Sequence, residues 1–285
     1  MSKTPTFKRI QITRPFTFVT NVQLNRPEKR NAFDAIFWKE IGDAFNFLAT
    51  DSDTRVIILT GNGPVFCAGI DLNASDELLN SGNNNENENG EQDFARKARK
   101  MREKIIFLQN SLQSIDSCPK PVIAAIHKAC FGGGVDLIAA CDIRVAVDGT
   151  LFSVKEVDIG LAADVGSLNR LPKICGNNSW IREISFTARA FDAKEALKHD
   201  LLSTVYPTQE IMKLEVEKHA KIIASKSPVA VEGTKIILNY SRDHSVQDSL
   251  TFTANWNMSQ LFTEDVPKSA MASFQKQELP KFSKL

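Results

Sequence analysis

Three successive glycines, Gly132-Gly133-Gly134, follow a short apolar run and open a helical pattern that carries Asp136. Glycine lets a backbone come close to a ligand, and the free N–H groups at a helix start receive negative charge. The same glycines also suit tight packing of a helix on a strand, so the run alone leaves both readings open. It is not a Walker loop, since no Gly-Lys-Ser/Thr follows, nor a dinucleotide fingerprint, since Gly-x-Gly-x-x-Gly is absent. A second glycine-rich turn, from Gly61 through Gly63, Cys67, Ala68 and Gly69 to Leu72, also follows an apolar run. Alone it is an ordinary strand-end turn. Together the two loops can each offer one backbone N–H, and two converging donors form an oxyanion hole for a carbonyl oxygen becoming an enolate.

Three acids near these loops could move protons. Asp136 lies one turn into the glycine-started helix, Glu156 follows it by 20 positions, and Asp164 sits in Leu161-Ala162-Ala163-Asp164-Val165-Gly166. The apolar neighbours of Asp164 predict a raised pKa and a carboxyl able to donate as well as accept a proton. Each acid also has a purely structural reading. Asp136 would cap or decorate its helix, Glu156 would be a surface partner of Lys155, and Asp164 would N-cap a helix starting near Val165. Asp142 and Asp158 are read as structural.

The elements that must hold these residues alternate. Ile10–Thr13 and Phe16–Leu24 read as a hairpin broken at Arg14-Pro15. Ala32–Leu48 has apolar residues at helical spacing, and Arg55–Thr60 is a buried strand. The same grammar returns at Val122–Ile126, the glycine-started helix and Ile143–Val147, which predicts an α/β fold. The Asn/Glu-rich stretch around 78–92 has no apolar core and reads as an insertion, with a helix resuming near Asp93. From about Pro207 the pattern is amphipathic and helical. The expected division is an α/β core over 1–206 and a helical segment over 207–285.

Thirty-five basic residues against thirty-four acidic ones leave a net charge of +1, which argues against a dedicated nucleic-acid surface. No apolar run reaches the length of a membrane span, and no apolar signal core opens the chain. Five cysteines without CxxC spacing and four dispersed histidines give neither a disulfide frame nor a metal site.

The pairing of Phe66-Cys67-Ala68-Gly69-Ile70-Asp71-Leu72 with Cys130-Phe131-Gly132-Gly133-Gly134-Val135-Asp136-Leu137 resembles the enoyl-CoA hydratase/isomerase (crotonase) family. Asn25-Arg26-Pro27-Glu28-Lys29-Arg30-Asn31-Ala32 is similar to that family's CoA-binding turn. The resemblance implies a crotonase-like spiral of ββα units with a C-terminal helical oligomerisation segment, and a homotrimer or homohexamer. It implies that Ala68 and Gly133 give the oxyanion-hole N–H groups, and that Ala68, Gly69, Ile70, Asp71 and Leu72 line the acyl-thioester site. Lys29 and Arg30 become candidates for the CoA phosphates. The acids at Asp136 and Glu156 match the family's two catalytic positions. Asp164 stands where a hydratase carries glycine, so the set resembles the branch that isomerises 3,5-dienoyl-CoA to 2,4-dienoyl-CoA. In that branch Glu156 would act at C2, Asp164 at C6, with Asp136 orienting or tuning them; the first two roles could be exchanged.

Alternatives within the family are an enoyl-CoA hydratase or a Δ3-Δ2-enoyl-CoA isomerase; outside enzymology, an acyl-CoA- or RNA-binding relative. The chemistry implies no cofactor, CoA being part of the substrate. The last residues, Ser283-Lys284-Leu285, read as a peroxisomal import address for a receptor, on a tail that Pro280-Lys281-Phe282 is expected to leave accessible.

Overall fold

The structure, a computed structural model, describes residues 4–72 and 93–285. The expected insertion around 78–92 lies outside the described residues. The chain opens with an antiparallel pair, β1 (Ile10–Phe16) and β2 (Phe18–Leu24). The turn falls at Thr17-Phe18 and not at Arg14-Pro15. A register shift between Thr13 and Phe16 absorbs Pro15, because an irregularity on an edge strand needs no N–H from the proline. Helix α1 (Ala35–Ala49) starts at Asp34, whose side chain accepts the Phe37 N–H as an N-cap. Strand β3 (Thr54–Gly61) follows and is buried along most of its length.

Beyond the undescribed segment, Asp93 caps α2 (Phe94–Ser117). Then come β4 (Val122–Ile126), β5 (Ala129–Phe131), the short α3 (Gly133–Ala139), β6 (Ile143–Val147) and β7 (Leu151–Ser153). A 3-10 turn at Glu156–Ile159 leads through an irregular loop to α4 (Ser167–Ile174). The order continues with α5 (Asn178–Thr187), β8 (Phe191–Asp192), α6 (Ala193–Lys198), β9 (Thr204–Tyr206) and α7 (Gln209–Ala224). Three further helices follow: α8 (Pro228–Arg242), α9 (Val246–Gln260) and α10 (Asp265–Phe274).

Six strands form one sheet in the order β1-β2-β3-β4-β6-β9, parallel from β2 onward. Alternate residues of its strands face two cores, as the two-residue repeat of a strand demands. Ile57, Leu59, Val122, Ala124 and Ile126 join the larger core with Phe33, Phe37, Trp38 and Phe45 from the α1 region. Val56, Ile58, Ile123 and Ala125 face Met212, Val216, Ala220 and Ala224 of α7. A smaller sheet, β5-β7-β8, stands beside the first and carries the glycine run and the approach to Glu156.

The C-terminal tail does not stand free. Phe282 is buried, and Arg55 Nη2 donates to the carbonyls of Phe282 (2.8 Å) and Ser283 (3.0 Å). Lys284 pairs with Asp53 at the start of β3. The tail expected to be accessible is thus tied to the body through the Phe282 and Ser283 carbonyls, while the side chains of Ser283, Lys284 and Leu285 stay exposed.

Candidate active site

The two glycine loops meet. Cys67 and Cys130 form an isolated parallel bridge, and Phe33 pairs with Ile70 through Phe33 N–H to Gly69 O (2.8 Å) and Asp71 N–H to Phe33 O (3.0 Å). This pairing turns the Ile70 N–H to the other side. Among the described residues neither Ile70 N–H nor Gly133 N–H has an acceptor. The two are neighbours: a Cβ on Gly133 would stand 3.7 Å from Ile70 Cγ1. The expected donor Ala68 is not free, since its N–H donates to the Arg30 carbonyl at 2.9 Å. The two N–H groups this backbone leaves free side by side are thus those of Ile70 and Gly133, and Ala68 is a strut of the loop. Gly69 requires its glycine, because at φ +97 a Cβ would lie 2.9 Å from the Phe131 carbonyl oxygen.

The turn before α1 builds the first loop from behind. The buried Asn31 amide donates to the carbonyls of Asn62 (2.8 Å), Val65 (3.1 Å) and Phe66 (3.0 Å), and its oxygen accepts the Arg26 N–H (2.9 Å). Arg26 in turn pairs with Asp71 at 2.7 Å and donates to Ala32 O at 2.9 Å. Asp71, expected to line the substrate, therefore turns its carboxylate into the scaffold. Leu72 is exposed, as are Lys29 and Arg30.

Asp136 and Glu156 stand at the second loop, and Asp164 lies within electrostatic reach of both. Asp136 is fully buried on α3; its Oδ1 accepts the Ser167 N–H at 2.5 Å, and its Oδ2 has no hydrogen-bond partner. Burial, with the charge of Asp164 adding to it, pushes Asp136 up to about 6 against the bond from Ser167. Glu156 is buried too, and its Oε1 lies 3.1 Å from where a Cβ on Gly132 would be, beside the Gly133 N–H. Its Oε2 is also unpartnered. Burial first, and then the neighbouring Asp136, raise Glu156 to about 7. Asp164 is half-buried, and burial raises its carboxyl above the ordinary range. The structure departs from the surface readings of these acids: Gly166 and not Asp164 precedes α4, Glu156 is buried, and Asp136 is buried with one oxygen on the first N–H of α4.

Such an arrangement holds an incipient oxyanion between two N–H groups, with a proton acceptor of near-neutral pKa beside it and two more carboxyls close by. It suits proton abstraction next to a thioester carbonyl and return of a proton elsewhere. Sequence reasoning missed Arg26 and Asn31 as the supports of the first loop. It also missed Gln109 of α2, whose side-chain amide donates to the Asp164 carbonyl at 2.7 Å. Their only signal in the sequence is a polar residue on an otherwise apolar or strand-flanking stretch.

Comparison with known proteins follows the same lines. The family described as Enoyl-CoA hydratase/isomerase matches residues 17–284. The human protein named Delta(3,5)-Delta(2,4)-dienoyl-CoA isomerase, mitochondrial, is 48% identical over 98% of this chain and 84% of its own length. The Arabidopsis thaliana protein of the same activity, named as peroxisomal, is 40% identical over 98% of both chains. An enoyl-CoA hydratase structure from Bacillus anthracis superposes with a TM-score of 0.84 at 24% identity, covering 97% of this chain and 99% of that one, which bears on the fold alone. With its family match running from the first hairpin to the tail, this chain belongs to the enoyl-CoA hydratase/isomerase family.

Proposed function

We propose that this protein is a Δ3,5-Δ2,4-dienoyl-CoA isomerase, which converts 3,5-dienoyl-CoA to 2,4-dienoyl-CoA during β-oxidation of unsaturated fatty acids. The observation that carries the reading is the third acid: the charge of Asp164 acts on both Asp136 and Glu156, in a chain 40–49% identical to proteins named for that reaction.

The C2–H of a 3,5-dienoyl thioester is acidified, because the charge left by its removal spreads into the carbonyl and along the diene. The carbonyl oxygen takes the place between Ile70 N–H and Gly133 N–H. One such donor is worth ~3–4 kcal/mol of barrier, roughly 10²–10³ in rate. Glu156, beside Gly132, removes the C2 proton. Asp164, held up by burial, gives a proton to C6, and the double bonds move to C2 and C4. The net change is one proton moved from C2 to C6. Asp136 keeps the Ser167 end of the Asp164 loop in place and adds its charge to the pKa of Glu156.

The acyl-CoA is the substrate, with Lys29 and Arg30 available to its phosphates. Large apolar side chains stand exposed on and around α8 to α10, among them Leu238, Leu250, Met258, Phe262 and Phe274. Such a surface supports a homotrimer or homohexamer through a C-terminal segment that begins near 207 and follows the 1–206 core. Ser283-Lys284-Leu285 supports a peroxisomal location through an import receptor. Among the described residues no helix is long and apolar enough to cross a membrane.

The test is the ultraviolet spectrum of the protein with a 3,5-dienoyl-CoA, beside its Asp164→Asn variant. Growth of the conjugated 2,4-dienoyl thioester band with wild type alone is expected. Hydration of a 2-enoyl-CoA with no such band would replace the isomerase with a hydratase.

A further inference from the structure

Glu156 and Asp164 are eight positions apart, yet they are supported very differently. Glu156 opens a 3-10 turn whose backbone is tied in place by Leu161 N–H to Glu156 O at 3.0 Å and Gly160 N–H to Val157 O at 3.1 Å. Asp164 lies in the irregular stretch between that turn and α4, and its own backbone enters no ladder. An acid that must meet C6, four carbons beyond the C2 that loses the first proton, has to be held from outside its own segment.

The hold comes from α2. Gln109 Nε2 donates to the Asp164 carbonyl at 2.7 Å. One turn further along the same helix, Gln113 Oε1 accepts from Arg170 Nη2 at 2.6 Å. Residues four apart stand on one face of a helix, so both amides face the Asp164 loop and the first turn of α4. Arg170 closes the clamp from the other side. Its backbone N–H donates to Gly166 O at 2.9 Å, and its guanidinium occupies the space where a Gly166 Cβ would be. Gly166, at φ +140, must be glycine for the arginine to lie there. A polar cleft of about 390 Å³ lies behind this contact, lined by Gln109, Gln113, Asp116, Arg170 and Arg242 among others. The bidentate Arg242–Asp116 pair (3.2 and 3.0 Å) anchors α2 to α8 across it.

We propose that Gln109 is a positioning residue for the proton transfer at C6, acting through the Asp164 carbonyl, with Gln113–Arg170 as the second tether of the same loop. The inference rests on the isomerase reading above. Gln109 touches no reacting atom. Its amide sets where the Asp164 carboxyl stands, and it has no bond to Glu156 or to the Ile70 and Gly133 N–H groups. Loss of the tether therefore acts on one half of the reaction only. A displacement of about 1 Å at a reacting group costs on the order of 10²-fold in rate, so loss of one tether of two is expected to lower turnover by about tenfold or more.

The experiment separates the two proton steps in deuterium oxide. A 3,5-dienoyl-CoA is incubated with wild type, Gln109→Met, which keeps the length without the donor, and Gln109→Lys, which keeps a donor. Formation of the 2,4-diene is followed by absorbance, and deuterium entering C2 of the recovered substrate by mass spectrometry. The expected result for Gln109→Met is a fall in kcat of about tenfold with unchanged KM and a C2 exchange rate within about twofold of wild type. Gln109→Lys is expected to recover part of the loss. Equal loss of exchange and isomerisation in Gln109→Met, or no loss of either, would overturn the positioning role. A melting temperature for each variant separates misfolding from the effect sought; if Gln109→Met does not fold, Gln113→Met carries the same test on the second tether. Should wild type itself form no 2,4-diene, it is the isomerase reading that falls.

Discussion

Asp136 carries a carboxyl that is fully buried and has one oxygen without a partner, so its negative charge is costly to the folded state. Its pKa stands at about 6 in place of the ordinary 3.8, with burial the first cause. The folded protein thus binds this proton more tightly than the unfolded chain. The resulting stability is fully present below about pH 3.8 and is lost as pH rises to about 6. Asp136→Asn removes the charge and keeps an oxygen to accept the Ser167 N–H. The variant should be more stable than wild type by about 1 kcal/mol at pH 4.5 and about 3 kcal/mol at pH 7.5. An unfolding entropy of about 2 cal/mol/K per residue makes the larger figure about 5 °C in melting temperature for a chain of this size. Calorimetric melts of both proteins at the two pH values, with turnover measured on the same preparations, make the assay. The same variant should lose kcat by ~10-fold or more, since the carboxylate that tunes Glu156 is gone. A variant that melts below wild type at pH 7.5, or a difference that does not grow with pH, would refute the reasoning.

Other expectations follow from the same geometry. With Glu156 raised to about 7 and needed ionised at C2, kcat/KM should climb with pH through an apparent pKa near 7. In Asp136→Asn that limb should move to lower pH because a negative neighbour is removed; a pH–rate profile that moves the other way would sink the assignment. Gly134→Ala adds helix propensity but sets a Cβ 2.9 Å from Cys67 Cβ and 3.2 Å from Cys130 Sγ. Overpacking should win, costing about 1–3 kcal/mol in a chemical denaturation curve, and a stabilised variant would contradict the packing described. Asn31→Ala strips the Asn62, Val65 and Phe66 carbonyls of a buried donor. Stability should fall by about 3 kcal/mol and C2 exchange should fall with it; exchange at the wild-type rate would separate this amide from the oxyanion hole.

Much of the architecture was legible because periodicity and punctuation agree. The apolar helical stripe over Ala32–Leu48 gave α1 to within a few residues, the Asp34 cap trimming its start, and bounded apolar runs gave β3, β4 and β6. The first hairpin was displaced because proline reads locally as a break, whereas the sheet edge accommodates it with a register shift. The acids were legible through spacing and the family resemblance. Which glycine-loop N–H remains free was not, since it depends on the Arg30 carbonyl, 38 positions before Ala68. Gln109 was invisible for the same reason: its importance lies in a bond to a carbonyl 55 positions away. Local pattern carries element type, and distant backbone pairing decides which polar group is spent and which is left for chemistry.

The reaction imposes one further demand on these carboxyls. It begins with the base ionised and the acid protonated, and ends with the two reversed, so each turnover must restore the starting distribution. Three ionised carboxylates in one buried space repel one another, and the fold holds all three above their ordinary pKa. Burial and mutual repulsion therefore both favour keeping a proton within the set, where the two transfer steps can use it. Asp136 is placed for this: its charge acts on Glu156, and Asp164 acts on both. Two acids of widely separated pKa would trap the proton on one of them and leave the other empty for the next substrate. The buried, destabilising Asp136 is thus a consequence of moving a proton across four carbons and back to its starting place. The same burial predicts that the protein is more stable without it.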